Sequence, residues 1–126
     1  MNDRTDKPAG RAEDDERFAR ARGRLAARRA ELESLSDEAR EARGTVALDQ
    51  QAVGRLSRMD AMQGQAMAQA TERRRRVDLA RIEMAERRIE TGDYGHCVEC
   101  DEEIPDGRLA IDPMAERCVR CAGRGR

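Results

Sequence analysis

Aromatic side chains are almost absent from this chain, with one Phe, one Tyr and no Trp in 126 residues. A conventional globular core cannot be filled from so little bulk. Proline is scarce as well: three in all, and none between Ser57 and Pro105. No apolar run approaches the roughly eighteen residues needed to cross a bilayer, so a membrane-spanning protein is not expected. Charge of one sign is also missing. The formal net charge is −1, which gives no overall pull toward nucleic acid or a membrane surface. Lys7 is the sole lysine among 25 basic residues, a skew better read as coding bias than as function.

What is present is charge of both signs, 40% of the chain, in a background of Ala, Arg, Glu and Leu. That composition predicts long helices, each burying a narrow stripe. Residues 1–12 carry polar, Pro and Gly signals without periodicity and read as a disordered arm. A helix is predicted over 13–42. Phe18, Leu25, Leu32 and Ala39 recur every seven residues, Ala21, Leu35 and Ala42 take the companion positions, and Arg28 breaks the seam. Gly44 reads as its stop. A second helix is predicted over 57–91, opening at Ser57 as a cap, with Met59, Ala66, Ala70, Val77, Ala80 and Met84 as its packing face. Leu79, Ile82 and Ile89 widen that face toward the end of the chain. Neither stripe is stable alone, so the simplest assembly is an antiparallel coiled-coil hairpin joined through a tip region at 44–56.

The stretch from Gly44 to Thr71 holds only four charged residues (Asp49, Arg55, Arg58 and Asp60) and all five glutamines. It reads either as packing at the end of the hairpin or as a surface that meets a partner. Arg73 to Arg76 wrap right round their helix, which suits a solvated surface or a contact with an acidic one.

All four cysteines lie between Tyr94 and Cys121, as Cys97-x-x-Cys100 and Cys118-x-x-Cys121 with seventeen residues between the pairs. Each Cys-x-x-Cys turn aims two sulfurs at one spot. Two such turns supply the four soft ligands that a tetrahedral zinc ion takes. The spacing is that of a zinc ribbon. Two disulfides are the alternative, but no secretory leader is read, so free thiols in a cytoplasmic protein are expected. Four thiolates close the coordination shell, which makes a single structural Zn2+ the expectation and catalysis at the metal unexpected. His96, beside Cys97, reads as a turn residue. Arg108, Arg117 and Arg120 are placed to offset the thiolate charge. A module at 93–122, with a tail at 123–126, is too small to fold without its metal. Ile104, Leu109, Ile111 and Met114 are its predicted core. Asp101 stands where such knuckles often have Gly, and Asp can visit the left-handed conformation at modest cost; Pro105-Asp106-Gly107 and Asp112-Pro113 read as turns between short extended pieces. The fold class is therefore mainly α, a long helical hairpin followed by a four-cysteine zinc-ribbon-like module.

Tyr94-Gly-x-Cys-x-x-Cys, then Ile104, Arg108-Leu109, Pro113 and Cys118-x-x-Cys121, behind a helical hairpin, resembles the TraR/DksA family of bacterial transcription regulators. The resemblance is specific from about Gly92 to Cys121 and general over 13–91. It implies a non-enzymatic protein that binds RNA polymerase directly through the secondary channel and modulates initiation without sequence-specific contact to DNA. It also implies zinc ligation by Cys97, Cys100, Cys118 and Cys121. The family's Asp-x-x-Asp-x-Ala tip fits Asp37 to Ala42 except at Arg40, but that segment lies too far from the cysteines. Counting back from Cys97 leads to Gly54 and Ser57, so the flanking Asp49 and Asp60 are the candidate tip acids. Arg74 and Arg81 are the candidate contacts at the hairpin base. Of the family's alarmone (ppGpp) contacts only Arg81 carries over, because Asp112 stands before Pro113 where a basic residue is wanted; alarmone binding is not expected. A monomer is expected rather than a dimer. The competing reading is a zinc-ribbon adaptor or nucleic-acid-binding module with a dimerising coiled coil. Arg117, Arg120, Arg124 and Arg126 speak for it; the near-neutral charge and single nearby aromatic speak against it.

Overall fold

The computed structural model describes residues 8–50 and 55–124, with side chains described over 13–44 and 58–124. Four helices follow one another: α1 (Pro8–Gln50), α2 (Arg55–Thr91), α3 (Asp106–Ile111) and α4 (Val119–Arg124). Among the described residues there is no strand, only an isolated antiparallel bridge between His96 and Glu103. No helix among them is long and apolar enough to cross a membrane.

Both long helices exceed their predicted bounds. α1 starts at Pro8, inside the expected arm, since proline's fixed φ suits the first helical turn. It also runs through Gly44, because one interior glycine costs only about 1 kcal/mol relative to alanine and the residues beyond it continue the helix. The expected tip region thus begins as helix, while residues 51–54 lie outside the described residues. Ser57 falls within the first turn of α2 rather than before it. At the far end, Gly92 (φ +83°) stops α2, and the amides of Asp93 and Tyr94 both donate to the Arg88 carbonyl, at 2.8 and 3.1 Å.

The chain forms two compact units. One, Arg29–Ala80, is a hairpin of α1 and α2. Leu32 and Ser36 are buried on α1, and Ala61, Ala68, Glu72, Arg75 and Leu79 are partly covered on α2. The α1 seam follows the heptad to Leu32 and then advances by four to Ser36, leaving Leu35 exposed. A straight helix drifts about 20° per heptad against a 3.5-residue repeat, which produces this slip. On α2 the predicted packing face is the wrong one. Met59, Ala66, Ala70, Val77, Ala80 and Met84 are all exposed. The covered residues recur every seven along the opposite side, where the polar Glu72 and Arg75 had disguised the pattern.

That polar layer is satisfied internally. The Ser36 hydroxyl donates to the Glu72 carboxylate at 3.0 and 3.1 Å, and Arg75 Nη1 donates to Glu72 Oε1 at 3.1 Å. Partial burial pushes the Glu72 carboxyl up, but the Ser36 and Arg75 hydrogen bonds and the charges of Arg75 and Arg76 outweigh it, leaving the group below its ordinary range.

The other unit joins the chain up to Arg28 with Arg81–Arg126. Ala21 and Leu25 of α1, Ile82, Ala85 and Ile89 of α2, and Tyr94, Ile104, Leu109, Met114 and Ala115 form its core. The chain's two aromatic residues meet here, Phe18 edge-on to Tyr94 with centroids 6.3 Å apart. The Tyr94 hydroxyl donates to the Pro113 carbonyl at 2.7 Å, and burial raises its pKa. Ile111 departs from expectation: it is 88% exposed. The segment opening at Pro105-Asp106-Gly107 is helix α3 rather than a turn between extended pieces, and a helix that turns Leu109 inward carries a residue two places later to the far side.

Candidate metal centre

Each Cys-x-x-Cys sits in a tight turn built by its own backbone. The Asp101 amide donates to the Cys97 carbonyl at 2.8 Å, with Asp101 in the left-handed region at φ +65°. The second pair enters α4, where the Cys121 amide lies 3.4 Å from the Cys118 sulfur. One further backbone bond closes the first turn, and another ties it to the chain leading into the second. The Cys97 amide donates to Glu102 and that of Val98 to Glu116, at 2.8 and 2.9 Å.

The result is one cluster: the four Sγ atoms all lie within 4.8 Å of one another. Cys100 and Cys118 are 3.8 Å apart, far beyond the ~2.05 Å of a disulfide. It matches the edge of a tetrahedron whose centre lies about 2.3 Å from each sulfur, which works out at ~3.8 Å. Cys97 and Cys121 are buried, Cys100 and Cys118 half-buried.

Protonation argues the same way. Burial pushes the Cys97 thiol up, but hydrogen bonds from the backbone at Cys100, Cys118 and Glu99 outweigh it and bring the group to about 6. Amide donation from Cys121 lowers Cys118 too. The Arg124 guanidinium, 3.5 Å from the Cys121 sulfur, pulls that thiol down, yet burial and the three neighbouring sulfurs leave it at about 11. Four sulfurs so close cannot all ionise unless a cation neutralises them. The donor set fits one Zn2+ held by Cys97, Cys100, Cys118 and Cys121, with its shell closed by thiolates. The site is a structural zinc site.

The arginines assigned to offset its charge are engaged elsewhere. Arg117 pairs with Glu99, Arg120 with Glu102 at 3.7 Å, and Arg108 Nε donates to the Arg117 carbonyl at 3.0 Å. Arg124 meets a sulfur instead, through its place one turn after Cys121 on α4, a helix the sequence reading did not include. His96 is exposed, and its backbone forms the bridge to Glu103.

Residues 92–124 match the family described as the prokaryotic dksA/traR C4-type zinc finger. The zinc module is a finger of the TraR/DksA type. Over 44 residues the chain is 46% identical to a protein of Aquifex aeolicus (strain VF5) described as uncharacterised. That alignment takes in 35% of this chain and 30% of the relative's length. The fold is similar to that of transcription factor DksA2 from Pseudomonas aeruginosa, with a TM-score of 0.66 and 21% identity, over 94% of this chain and 87% of that one.

The remaining candidate residues are dispersed. Asp49 falls in α1 where side chains lie outside the described residues, whereas Asp60 is exposed on α2. Arg74 is exposed in the hairpin unit. Arg81, in the zinc-bearing unit, is half-buried and pairs with Asp112 at 3.3 Å. The structure thus joins the two residues on which alarmone binding turned in the sequence.

One side chain that braces the zinc module went unnoticed in the sequence. Arg17 reaches from α1 to the zinc module, bonding the Glu103 carboxylate at 2.8 Å, the Ile104 carbonyl at 3.1 Å, the Gly95 carbonyl at 3.4 Å and Asp106 at 3.3 Å. A Cβ on Gly95 would lie 2.6 Å from its Nη2, so the guanidinium would have to shift to admit one, and the φ of +91° itself favours glycine there. Position 17 carries no sequence signal beyond its place beside Phe18.

Proposed function

We propose that this protein is a non-enzymatic transcription regulator that binds bacterial RNA polymerase directly. The hairpin of Arg29–Ala80 enters the secondary channel, and the zinc holds together the module that seats the protein. The observation that carries this reading is the TraR/DksA finger at 92–124 joined to a fold like that of DksA2 over nearly the whole chain. The mechanism is steric and electrostatic. Asp49 and Asp60, the acids nearest in sequence to the break between α1 and α2, act on the enzyme's active-site region and alter open-complex stability. Arg74 and Arg81 contact the enzyme nearer the base.

The competing nucleic-acid reading loses support from its own arginines, since Arg117 and Arg120 are paired with carboxylates of the same module and Arg124 with a zinc-ligand sulfur. The test is the double variant Asp49→Ala/Asp60→Ala in transcription with purified polymerase. Polymerase binding should persist while the effect on initiation disappears. An unaltered effect rejects these two acids.

A further inference from the structure

Helix α2 has two contrasting sides. One packs within the hairpin. On the other, Met59, Ala66, Ala70 and Val77 are all exposed. At 100° per residue these four fall within about 20° of one line. Their 7-4-7 spacing is a heptad seam with nothing on it. The stretch from Ala61 to Thr71 carries no charge at all, in a chain that is 40% charged. Met62 and Met67 lie beside the line at 68% and 71% exposure, and methionine adapts its shape to a partner. Ala66 and Ala70, one turn apart at the centre, present little bulk, so another backbone can come close.

Charge borders this stripe on both sides at one end. Arg73 lies about 40° to one side of the line and Arg74 about 60° to the other, both exposed and one turn before Val77. Arg75 points the other way, into the bond with Glu72. The arginine run therefore does form a directional feature: two of its members straddle an apolar seam.

The occupant follows from area and charge. Met59 to Val77 spans about 27 Å, and a stripe about 10 Å wide offers roughly 270 Å2 a side. Stable dimers bury about 1,200–2,000 Å2 in total, well beyond what this stripe supplies to two copies of itself. A second copy also answers the charge poorly. In parallel register Arg73 and Arg74 meet their own counterparts; in antiparallel register about the stripe's midpoint they meet Gln63 and Met62.

We infer that the outer face of α2, centred on Ala66 and Ala70 and flanked by Arg73 and Arg74, docks an α-helix of the partner protein that carries an apolar seam bordered by carboxylates. This rests on the polymerase reading and adds to it the face of the hairpin that makes contact and the chemistry of what it contacts.

The experiment titrates fluorescently labelled zinc-loaded protein with purified bacterial core RNA polymerase and follows anisotropy at two salt concentrations. Ala66→Glu/Ala70→Glu places carboxylates on the seam at exposed helical positions. Arg73→Glu/Arg74→Glu reverses its border. Each variant is checked for unchanged helicity, zinc content and sedimentation. Binding should weaken at least tenfold in both, and the salt dependence should flatten in the second. Variants that bind within twofold of the wild type overturn the inference while leaving the polymerase reading intact. A wild type that does not bind removes the polymerase reading, and the inference with it. A wild-type dimer that Ala66→Glu/Ala70→Glu dissociates assigns the face to a second copy and also overturns the inference.

Discussion

Replacing Gly95 by alanine should disconnect α1 from the zinc module. The backbone at Gly95 sits at φ +91°, where an L side chain costs about 1–2 kcal/mol. The new Cβ would also lie 2.6 Å from Nη2 and 2.8 Å from Cζ of Arg17, closer than atoms tolerate. The guanidinium must then move and give up the Ile104 carbonyl at 3.1 Å, while the Gly95 contact at 3.4 Å is too long to count as a second full bond. A charged hydrogen bond of this kind is worth about 1.5–3 kcal/mol. Glu103 and Asp106 are about two-thirds exposed, so their ion pairs with Arg17 add little. The total cost of Gly95→Ala is about 2.5–5 kcal/mol, read as a lower urea midpoint at saturating zinc. The same substitution in an Arg17→Met background should cost only the backbone share, about 1–2 kcal/mol. Equal costs in the two backgrounds would show that the close approach between Gly95 and Arg17 has no energetic consequence.

Other perturbations have equally definite outcomes. Tyr94→Phe leaves the buried Pro113 carbonyl without its 2.7 Å donor and should destabilise by about 1–2 kcal/mol, measured by urea denaturation of the zinc-loaded protein. Because the folded Glu72 carboxyl titrates below its ordinary range, its stabilising effect is complete above the unfolded pKa and is lost as pH falls through the folded one. The stability gap between wild type and Glu72→Gln should accordingly close on acidification below about pH 4; a gap that widens there refutes the sign. Zinc displaces thiol protons, so its affinity in chelator competition should fall more than tenfold per unit as pH drops below about 6, the value of Cys97. Cys118→Ser should lower both zinc retention and the melting temperature of the module.

How far the sequence could be read depended on which interactions are local. The four ligand cysteines were legible, because two Cys-x-x-Cys turns determine their own geometry, whereas Arg124 beside the Cys121 sulfur was not, because it lies on the unforeseen helix α4. The α1 stripe was legible through Leu32, while apolar residues coincided with the seam. Beyond that point Ser36, Glu72 and Arg75 take seam positions, and a polar residue satisfied by another across a helix pair looks like surface until both helices are in view. The choice of face on α2 failed for this reason. The wholly apolar stripe on that helix, with Met59 and Val77, faces outward, while the covered one mixes Ala61, Ala68 and Leu79 with Glu72 and Arg75. Ile111 and Arg17 failed similarly, one for lack of a visible helix α3 and the other because its acceptors lie 78 to 87 residues away.

The account stands or falls on where the hairpin goes. A photo-reactive amino acid in place of Asp60, activated in the presence of purified RNA polymerase, should crosslink to the polymerase subunits that line the secondary channel, in a zinc-dependent manner. Crosslinks confined to DNA, to a second copy of the chain, or to the polymerase exterior would contradict it.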